Sequence, residues 1–226
     1  ARSNSVNYKM RIEAMYFEKL YQQADVVVIP TFLKRKQKQF VYVDPILRLL
    51  TEALPSEHVL MKKLRLRRKP VLVMLGGSEF GTKLAKHINA IAPSLDEDFI
   101  FFGGDLHFSF AKNVRYFRYS ADFLQYLRVC KGIITLAGQK TLSEALVYKK
   151  AVLCFPIQDH IEQVLNAYAL RDAIMVSNDS SLKAVQALLP QFLRDVPRIE
   201  KKVAALRMKG NGAQQVAEVI SRAMKA

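Results

Sequence analysis

The chain has 226 residues, of which half are apolar and 24% are charged, and its formal net charge is +15. Such a chain can bury a core of its own, which excludes a disordered tail. Two cysteines are too few for a disulfide framework, and every apolar run is broken well before the roughly 18 residues that a membrane span needs. The sequence therefore predicts a cytoplasmic protein of one or two domains that does not cross a bilayer.

Short β-branched or aromatic runs alternate with amphipathic stretches along most of the chain. Predicted strands lie at 24–30, 70–75, 98–102, 114–117, 132–136, 151–155 and 174–176, and predicted helices at 82–91, 121–130, 141–148 and 161–171. Continuous apolar runs of this length are typical of strands buried on both faces. Alternating strands and helices predict an α/β fold, in which a parallel sheet carries helices on both faces. Residues 181–226 show no strand pattern and are predicted to be helical, with a break at 210–212.

A glycine-rich turn follows the predicted strand at 70–75 and opens the next helix. It reads Leu-Gly-Gly-Ser-Glu-Phe-Gly over residues 75–81. Glycine lets a ligand approach the backbone closely, and a helix N-terminus offers free N–H groups to phosphate oxygens. A phosphate cradle and an ordinary turn are both compatible with this pattern, because the spacing matches neither the dinucleotide fingerprint nor the Walker loop.

A second turn of this kind lies at 135–144, again between a strand and a helix. Gly138 permits close approach, Lys140 and Thr141 can meet phosphate oxygens, and Glu144 lies about one turn further on. A carboxylate there can accept hydrogen bonds from ribose hydroxyls. The spacing of Thr141 and Glu144 also fits a capping box, which taken alone is the simpler interpretation.

Polar side chains crowd a third turn, at 155–167, after the next predicted strand. In open parallel sheets, ligands bind at the carboxyl ends of the strands, and all three turns lie at that edge. Their convergence is stronger evidence for a binding site than any one of them.

The residue pattern resembles the donor-binding half of GT-B glycosyltransferases. The matching runs are Gly138-x-x-Thr141-x-Ser143-Glu144-Ala145-Leu146, then residues 151–156, then Glu162-Gln163-x-x-Asn166-Ala167. The pattern is most similar to the group of the bacterial lipid II N-acetylglucosaminyltransferase and the plant galactolipid synthases, and a related one occurs in UDP-glucuronosyltransferases. The resemblance covers about residues 70–176 and implies a Rossmann-like sheet.

The resemblance also implies a domain division. Residues 1–44 would be the tail of an N-terminal Rossmann-like domain and the start of a linker, and residues 45–226 the C-terminal nucleotide-sugar-binding domain with its terminal helices. The first residues, without an initiator Met, read as the middle of a helix. We therefore expect the chain to be a piece of a longer protein.

The matched positions imply roles in binding a UDP-sugar, which would be the donor substrate, with no cofactor. Glu144 would bind the ribose hydroxyls, and the loop at Tyr119 and Ser120 would contact uracil through its backbone. The residues that would hold the diphosphate are Gly76, Gly77, Ser78, Gly138, Lys140 and Thr141. Leu136 stands where the family usually has Arg or His, so one diphosphate contact is missing and Lys140 would replace it.

Residues of the third turn would address the sugar. Gln163, with Glu162 beside it, would bind the sugar hydroxyls, and Asn166 would support that turn. His160 is a candidate for orienting a phosphate or acting as a general acid, although a lone loop histidine is more often a solvated side chain. The histidines share no metal-ligand spacing, so no metal is expected.

The resulting functional expectation is transfer of a hexose from UDP to a hydroxyl or phosphate of an acceptor, which would be lipid-linked as in the most similar families. The acceptor pocket and catalytic base would belong to the N-terminal domain or to a separate subunit, so the chain alone would be inactive. Two alternatives remain open: a UDP-sugar epimerase or hydrolase on the same fold, and a non-catalytic basic module that binds membrane or nucleic acid.

The positive charge is concentrated at the front of the chain, where residues 1–70 carry a net +9. Two basic clusters account for it, one at 34–38 and the other at 62–69. They predict either a solvated linker or attraction to an anionic membrane surface. Nucleic acid is the less favoured partner, because no zinc-finger, RNP or helix-turn-helix pattern is present.

Overall fold

The computed structural model describes residues 12, 15–32, 40–76 and 78–225. Its contacts divide the chain into two compact units. One is Arg48–Met208, and the other combines Ala1–Leu47 with Lys209–Ala226. The first basic cluster and Gly77 lie outside the described residues.

The larger unit is built on a six-stranded parallel sheet. Its strands are β3 (Val71–Met74), β4 (Phe99–Phe102), β5 (Val114–Phe117), β6 (Gly132–Thr135), β7 (Ala151–Cys154) and β8 (Met175–Val176). They are ordered β5-β4-β3-β6-β7-β8. Every residue of β4, β6 and β7 is buried, as are the first three of β3, which is why these runs are apolar throughout rather than alternating. The predicted α/β fold is confirmed.

Helices cover both faces of this sheet. They are Glu57–Lys63, Glu79–Ile91, Phe123–Val129, Gln139–Val147, Ile161–Leu170 and Leu182–Ala205, with short 3-10 turns at Thr51–Ala53 and Ala92–Ser94. Among the residues that the structure describes, no helix is both long enough and apolar enough to cross a bilayer.

The smaller unit holds a parallel pair of strands and the C-terminal helix. β1 (Val28–Pro30) pairs with β2 (Val41–Val43), and residues 15–21 are helical. The helix Gly212–Ala223 packs on this pair: Gln215 accepts a hydrogen bond from the Asp44 backbone N–H at 2.7 Å and donates one to the Asp44 carboxylate at 3.0 Å. The predicted division at residue 44, into the tail of an N-terminal domain and a C-terminal domain with terminal helices, stays a prediction.

Glycine at position 212 makes this docking feasible. A Cβ there would lie 1.9 Å from the Asp44 carbonyl oxygen, closer than any side chain allows. Beside it, Ile46 and Asn211 form an isolated antiparallel bridge. The glycine that the sequence marks as a helix break is therefore the point where the last helix contacts the backbone after β2.

Candidate functional site

The topology of the sheet places a crevice between β3 and β6. From β3 the chain runs outward through β4 to β5, then returns to the other side of β3 to form β6, β7 and β8 in turn. Ligands of open α/β sheets bind at such a reversal, outside the carboxyl ends of the strands. The two turns predicted to hold phosphate, at 75–78 and 136–141, follow β3 and β6 directly.

A cavity of about 210 Å³ opens at this edge. It is lined by Arg48, Met74, Phe102, Gly103, Arg118, Tyr119, Ser120, Phe123, Lys140, Thr141 and Glu144. The structure thus brings together five of the predicted site residues. These are Tyr119, Ser120, Lys140, Thr141 and Glu144.

Glu144 is the buried carboxylate of this cavity. It lies on the helix Gln139–Val147 and is only 2% exposed. The Arg48 guanidinium donates to its Oε1 from both Nε and Nη2, each at 3.3 Å. Burial raises the pKa of Glu144 above its ordinary value, and Arg48 and Lys140 offset part of that rise. A carboxylate held in this way is an acceptor for hydroxyl donors that enter the cavity.

The capping-box interpretation of Thr141 and Glu144 is wrong. The helix begins two residues earlier, at Gln139, with Gly138 as its N-cap. Thr141 is therefore already inside the helix, and both residues line the cavity instead. Glu162 satisfies the helix start, because its Oε1 accepts from the Gln139 backbone N–H at 2.9 Å.

The glycines in the turns after β3, β4 and β6 differ in what surrounds them, and Gly76, Gly104 and Gly138 are not among the residues that line the cavity. Gly76 has a φ of +64°, and a Cβ there would meet nothing within 4 Å. A Cβ on Gly104 would lie 2.8 Å from the Gly76 carbonyl oxygen, so the turn after β4 packs against the turn after β3. Gly138 has an ordinary φ of −63° and open space on its Cβ side. Gly138 is the N-cap of the helix Gln139–Val147, a position where glycine is common, and its predicted contact with a diphosphate stays a prediction.

Ser78 is engaged in the fold of its own turn. Its hydroxyl oxygen accepts from the Gly81 backbone N–H at 3.1 Å and so caps the helix Glu79–Ile91. Gly81 in turn fits against the Leu75 carbonyl oxygen, which would lie 2.3 Å from a Cβ at that position. The first predicted phosphate loop is therefore a capped turn whose remaining donors are backbone N–H groups.

Gln163 and Asn166 fix the neighbouring loops and do not line the cavity. Gln163 Oε1 accepts from the Ile157 backbone N–H at 3.0 Å. Asn166 Nδ2 donates to the Ala137 carbonyl oxygen at 3.1 Å and so supports a residue with a φ of +66°. His160 is the N-cap of the helix Ile161–Leu170, without a side-chain capping bond. The predicted contacts of Glu162, Gln163 and His160 with sugar or phosphate remain predictions.

Comparison with known proteins decides the family. The family model described as glycosyl transferase family 1 matches residues 15–197, which is most of the chain. The chain belongs to this glycosyltransferase family.

Relatives of this glycosyltransferase chain are similarly described. An uncharacterized glycosyltransferase from Methanopyrus kandleri is 26% identical over 225 residues, which is 90% of this chain and 62% of that protein. Another from Methanosarcina mazei is 26% identical over 116 residues, covering 49% of this chain and 31% of the relative. The chain thus spans less than two thirds of the length of these curated relatives.

Solved GT-B glycosyltransferases share the fold. MurG from Acinetobacter baumannii aligns with a TM-score of 0.62 at 18% identity, over 91% of this chain and 62% of that one. The spinosyn forosaminyltransferase SpnP aligns with a TM-score of 0.65 at 16% identity, over 88% of this chain and 56% of that one. The predicted GT-B fold is confirmed.

Several residues that line the cavity were not predicted from the sequence. They are Arg48, Met74, Phe102, Gly103, Arg118 and Phe123. Met74 and Phe102 end β3 and β4, and Gly103 with Gly104 follows β4 with positive φ, so a glycine pair at a strand end was the available signal. Arg48 had none, because it lies 96 residues before Glu144 and outside the region 70–176 that carries the resemblance.

Proposed function

We propose that this chain binds a UDP-sugar in the cavity at the β3–β6 crevice, for transfer of its hexose to an acceptor. The observation that carries the proposal is Glu144, an almost fully buried carboxylate at the topological reversal of the sheet. Two further cations, Arg118 and Lys140, line the same cavity and suit a diphosphate, while Arg48 pairs with Glu144. Family membership supplies the reaction class, group transfer from a nucleotide-sugar donor.

The parts of the donor would occupy distinct parts of the cavity. The ribose hydroxyls would donate to Glu144. Uracil would lie against the apolar side chains of Met74, Phe102 and Phe123, with its edge at the backbone of Tyr119 and Ser120. Tyr119 is 80% exposed, so its backbone rather than a buried ring is the part suited to this contact.

The diphosphate would lie between the turns at 76–78 and 138–141. Backbone N–H groups at the starts of the helices Glu79–Ile91 and Gln139–Val147 would stabilise negative charge as UDP leaves, and Lys140 would add a mobile positive charge. Leu136, where an additional cation is usual, is buried and apolar. Glu162 already caps Gln139, which favours placing the sugar hydroxyls rather than a phosphate beside its carboxylate.

The acceptor pocket and the catalytic base would come from protein beyond the larger unit. We propose an N-terminal domain, in the same polypeptide or on a separate subunit, as the source of both. Without it the chain should bind nucleotide and transfer no sugar. A lipid-linked acceptor is consistent with the lipid II and galactolipid families that the sequence resembles.

The second basic cluster would hold such an enzyme at an anionic cytoplasmic membrane surface. Three of its six cations form ion pairs. Lys63 pairs with Asp122, Arg68 with Asp96 and Asp98, and Lys69 with Glu57. Within the described part of the chain, Lys62, Arg65 and Arg67 form none, and these three would supply the attraction. None of these six side chains is among the residues that line the cavity.

The direct test is calorimetric titration of UDP into the wild type and Glu144→Gln. Loss of the ionised acceptor should weaken binding by about 1.5–3 kcal/mol, the range for hydrogen bonds to charged groups. Glu200→Gln, on the helix Leu182–Ala205 and away from the cavity lining, is the matched control and should bind like the wild type. Equal UDP affinity in a folded Glu144→Gln protein would overturn the proposed site.

A further inference from the structure

Two contacts tie the segment at residues 48–49 to the helix that carries Glu144. Arg48 donates to Glu144 Oε1, and the Tyr148 hydroxyl donates to the Leu49 carbonyl oxygen at 3.0 Å. Glu144 and Tyr148 are four residues apart, so they lie on one face of the helix. The backbone beside Arg48 is therefore anchored to the same helix face that its guanidinium contacts.

This ion pair differs from an ordinary surface pair in the burial of its acid. The Glu144 side chain is 3% exposed, whereas that of Arg48 is 45% exposed. A pair between two exposed side chains contributes little, but a buried carboxylate without a partner is strongly disfavoured. Both nitrogen contacts converge on Oε1, so the pair restricts how the carboxylate can rotate and leaves Oε2 outside the pair.

We infer that Arg48 is a positioning residue of the donor site, which keeps the Glu144 carboxylate ionised and oriented for the ribose hydroxyls. This inference rests on the proposed function and adds to it a residue from a segment outside the motif-bearing region. Arg48 acts through Glu144 rather than through the diphosphate. Its removal should therefore change the pH at which UDP affinity is lost.

Two cations act on the charge of Glu144: Arg48, which precedes the turn Thr51–Ala53, and Lys140, on the helix Gln139–Val147. Tyr148 follows the same helix, and Arg118, in the loop after β5, lines the cavity but pairs with Asp105. Tyr148 has its pKa raised to about 12 by burial and by Glu144, so it stays neutral below that range. Among the described residues that line the cavity, Glu144 is the only carboxyl or imidazole group, so protein titration there between about pH 4 and 8 is assigned to it.

The experiment measures UDP affinity against pH for the wild type, Arg48→Ala and Arg118→Ala. Arg118 is the matched control, because it lines the same cavity but pairs with Asp105, at 3.7 Å. Arg48→Ala should bind UDP about three- to tenfold more weakly at pH 7. The midpoint, which is the pH at which acidification has removed half of the effect of Glu144 on UDP affinity, should rise by about one pH unit. Arg118→Ala should lower the affinity and leave the midpoint in place. Glu144→Gln supplies the baseline, because the phosphate of UDP also titrates near pH 6.

Two further variants separate positioning from folding. Arg48→Lys retains the positive charge without the planar guanidinium group. Its midpoint should lie between those of Arg48→Ala and the wild type, and its UDP affinity should stay below that of the wild type. Tyr148→Phe removes only the anchoring hydroxyl and should shift the midpoint in the same direction by less.

An unchanged midpoint in Arg48→Ala, or the same shift in Arg118→Ala, overturns the inference. Failure of the proposed function gives a different result. In that case Glu144→Gln itself leaves UDP affinity unchanged at every pH. If Glu144→Gln weakens binding while Arg48→Ala keeps the wild-type midpoint, the donor site stands and the role of Arg48 is rejected.

Discussion

Burial of the Glu144 carboxylate links the stability of the fold to pH. Its pKa is raised above 4.5 in the folded protein, so the folded state binds this proton more tightly than the unfolded chain does. Protonated Glu144 therefore stabilises the fold fully below about pH 4.5, and this contribution is lost as pH rises through the raised pKa. Glu144→Gln lacks this dependence.

We expect the difference in free energy of unfolding between the wild type and Glu144→Gln to depend on pH. Measured by urea denaturation from about pH 4 to about pH 7, the free energy of the wild type minus that of Glu144→Gln should fall as pH rises. A constant difference would mean that the carboxylate has the same pKa in the folded and unfolded states, and a rising one would mean that Arg48 outweighs burial.

Two glycines at helix starts should respond oppositely to alanine. Gly81→Ala places a methyl group against the Leu75 carbonyl oxygen and should destabilise the fold by about 1–3 kcal/mol despite alanine's better helix propensity. Gly138→Ala meets open space and should cost under about 1 kcal/mol of stability, yet weaken UDP binding at least about tenfold. Urea denaturation and calorimetry on both variants check this, and wild-type UDP affinity in Gly138→Ala would exclude close approach of the diphosphate there.

The sequence indicates some site residues and hides others for a physical reason. Lys140, Thr141 and Glu144 are close together in the chain and follow a strand, so a local pattern identifies them. Arg48 and Arg118 reach the cavity only because the sheet brings distant segments to one edge. The local capping pattern at Thr141 was misleading, because Glu162, from the next helix, caps the helix start instead.

At the scale of elements, the long helix Leu182–Ala205 closes one side of the core. It continues through Pro190 and Pro197, although proline removes a helix hydrogen bond. Its buried stripe, Val185, Leu189, Phe192, Val196, Ile199 and Val203, follows helical spacing. Packing of that stripe explains why the helix is uninterrupted, which proline positions alone would not predict.

Phe192 should be the most sensitive position of this helix. Its ring is fully buried and lies 2.9 Å from where a Cβ of Gly132 would stand, so it packs directly on β6. Phe192→Ala should cost about 3–5 kcal/mol of unfolding free energy. Arg194→Ala, on the exposed side of the same helix, should stay within about 0.5 kcal/mol of the wild type. Similar midpoints for the two variants in urea would contradict the packing described.

The strands of the larger sheet were predictable because each is a short apolar run bounded by turns. β2 was missed, since Val41–Val43 is only three residues long and borders the basic segment. The predicted strand at 24–30 shortens to Val28–Pro30, because residues before it are turn and coil. Pairing with β2, which local sequence does not reveal, sets these bounds.

For the whole molecule, membrane and nucleotide binding should be separable, because no residue of the basic cluster before β3 lines the cavity. A triple variant in which Gln replaces Lys62, Arg65 and Arg67 should bind anionic vesicles more weakly than the wild type, by about 1 kcal/mol per charge removed. Wild-type binding should also weaken steeply as salt rises, because screening acts over roughly 8 Å at physiological ionic strength. UDP affinity should not change in the triple variant.

Vesicle sedimentation with anionic and with neutral lipids measures this effect. Stronger sedimentation with anionic vesicles at low salt, reduced in the triple variant, is the expected result. Equal binding to both lipid types, or none to either, would mean that these cations only solvate the surface.

The central claim is that the crevice between β3 and β6 recognises a uridine diphosphate. Calorimetric titration of the chain with UDP, dTDP, ADP and GDP tests it most directly. UDP should bind most tightly. ADP and GDP should bind more weakly because they lack the uracil proposed to contact the backbone of Tyr119 and Ser120, and dTDP because it lacks the 2′-hydroxyl that would donate to Glu144. Absence of binding by all four nucleotides, or equal affinity for them, would contradict the claim.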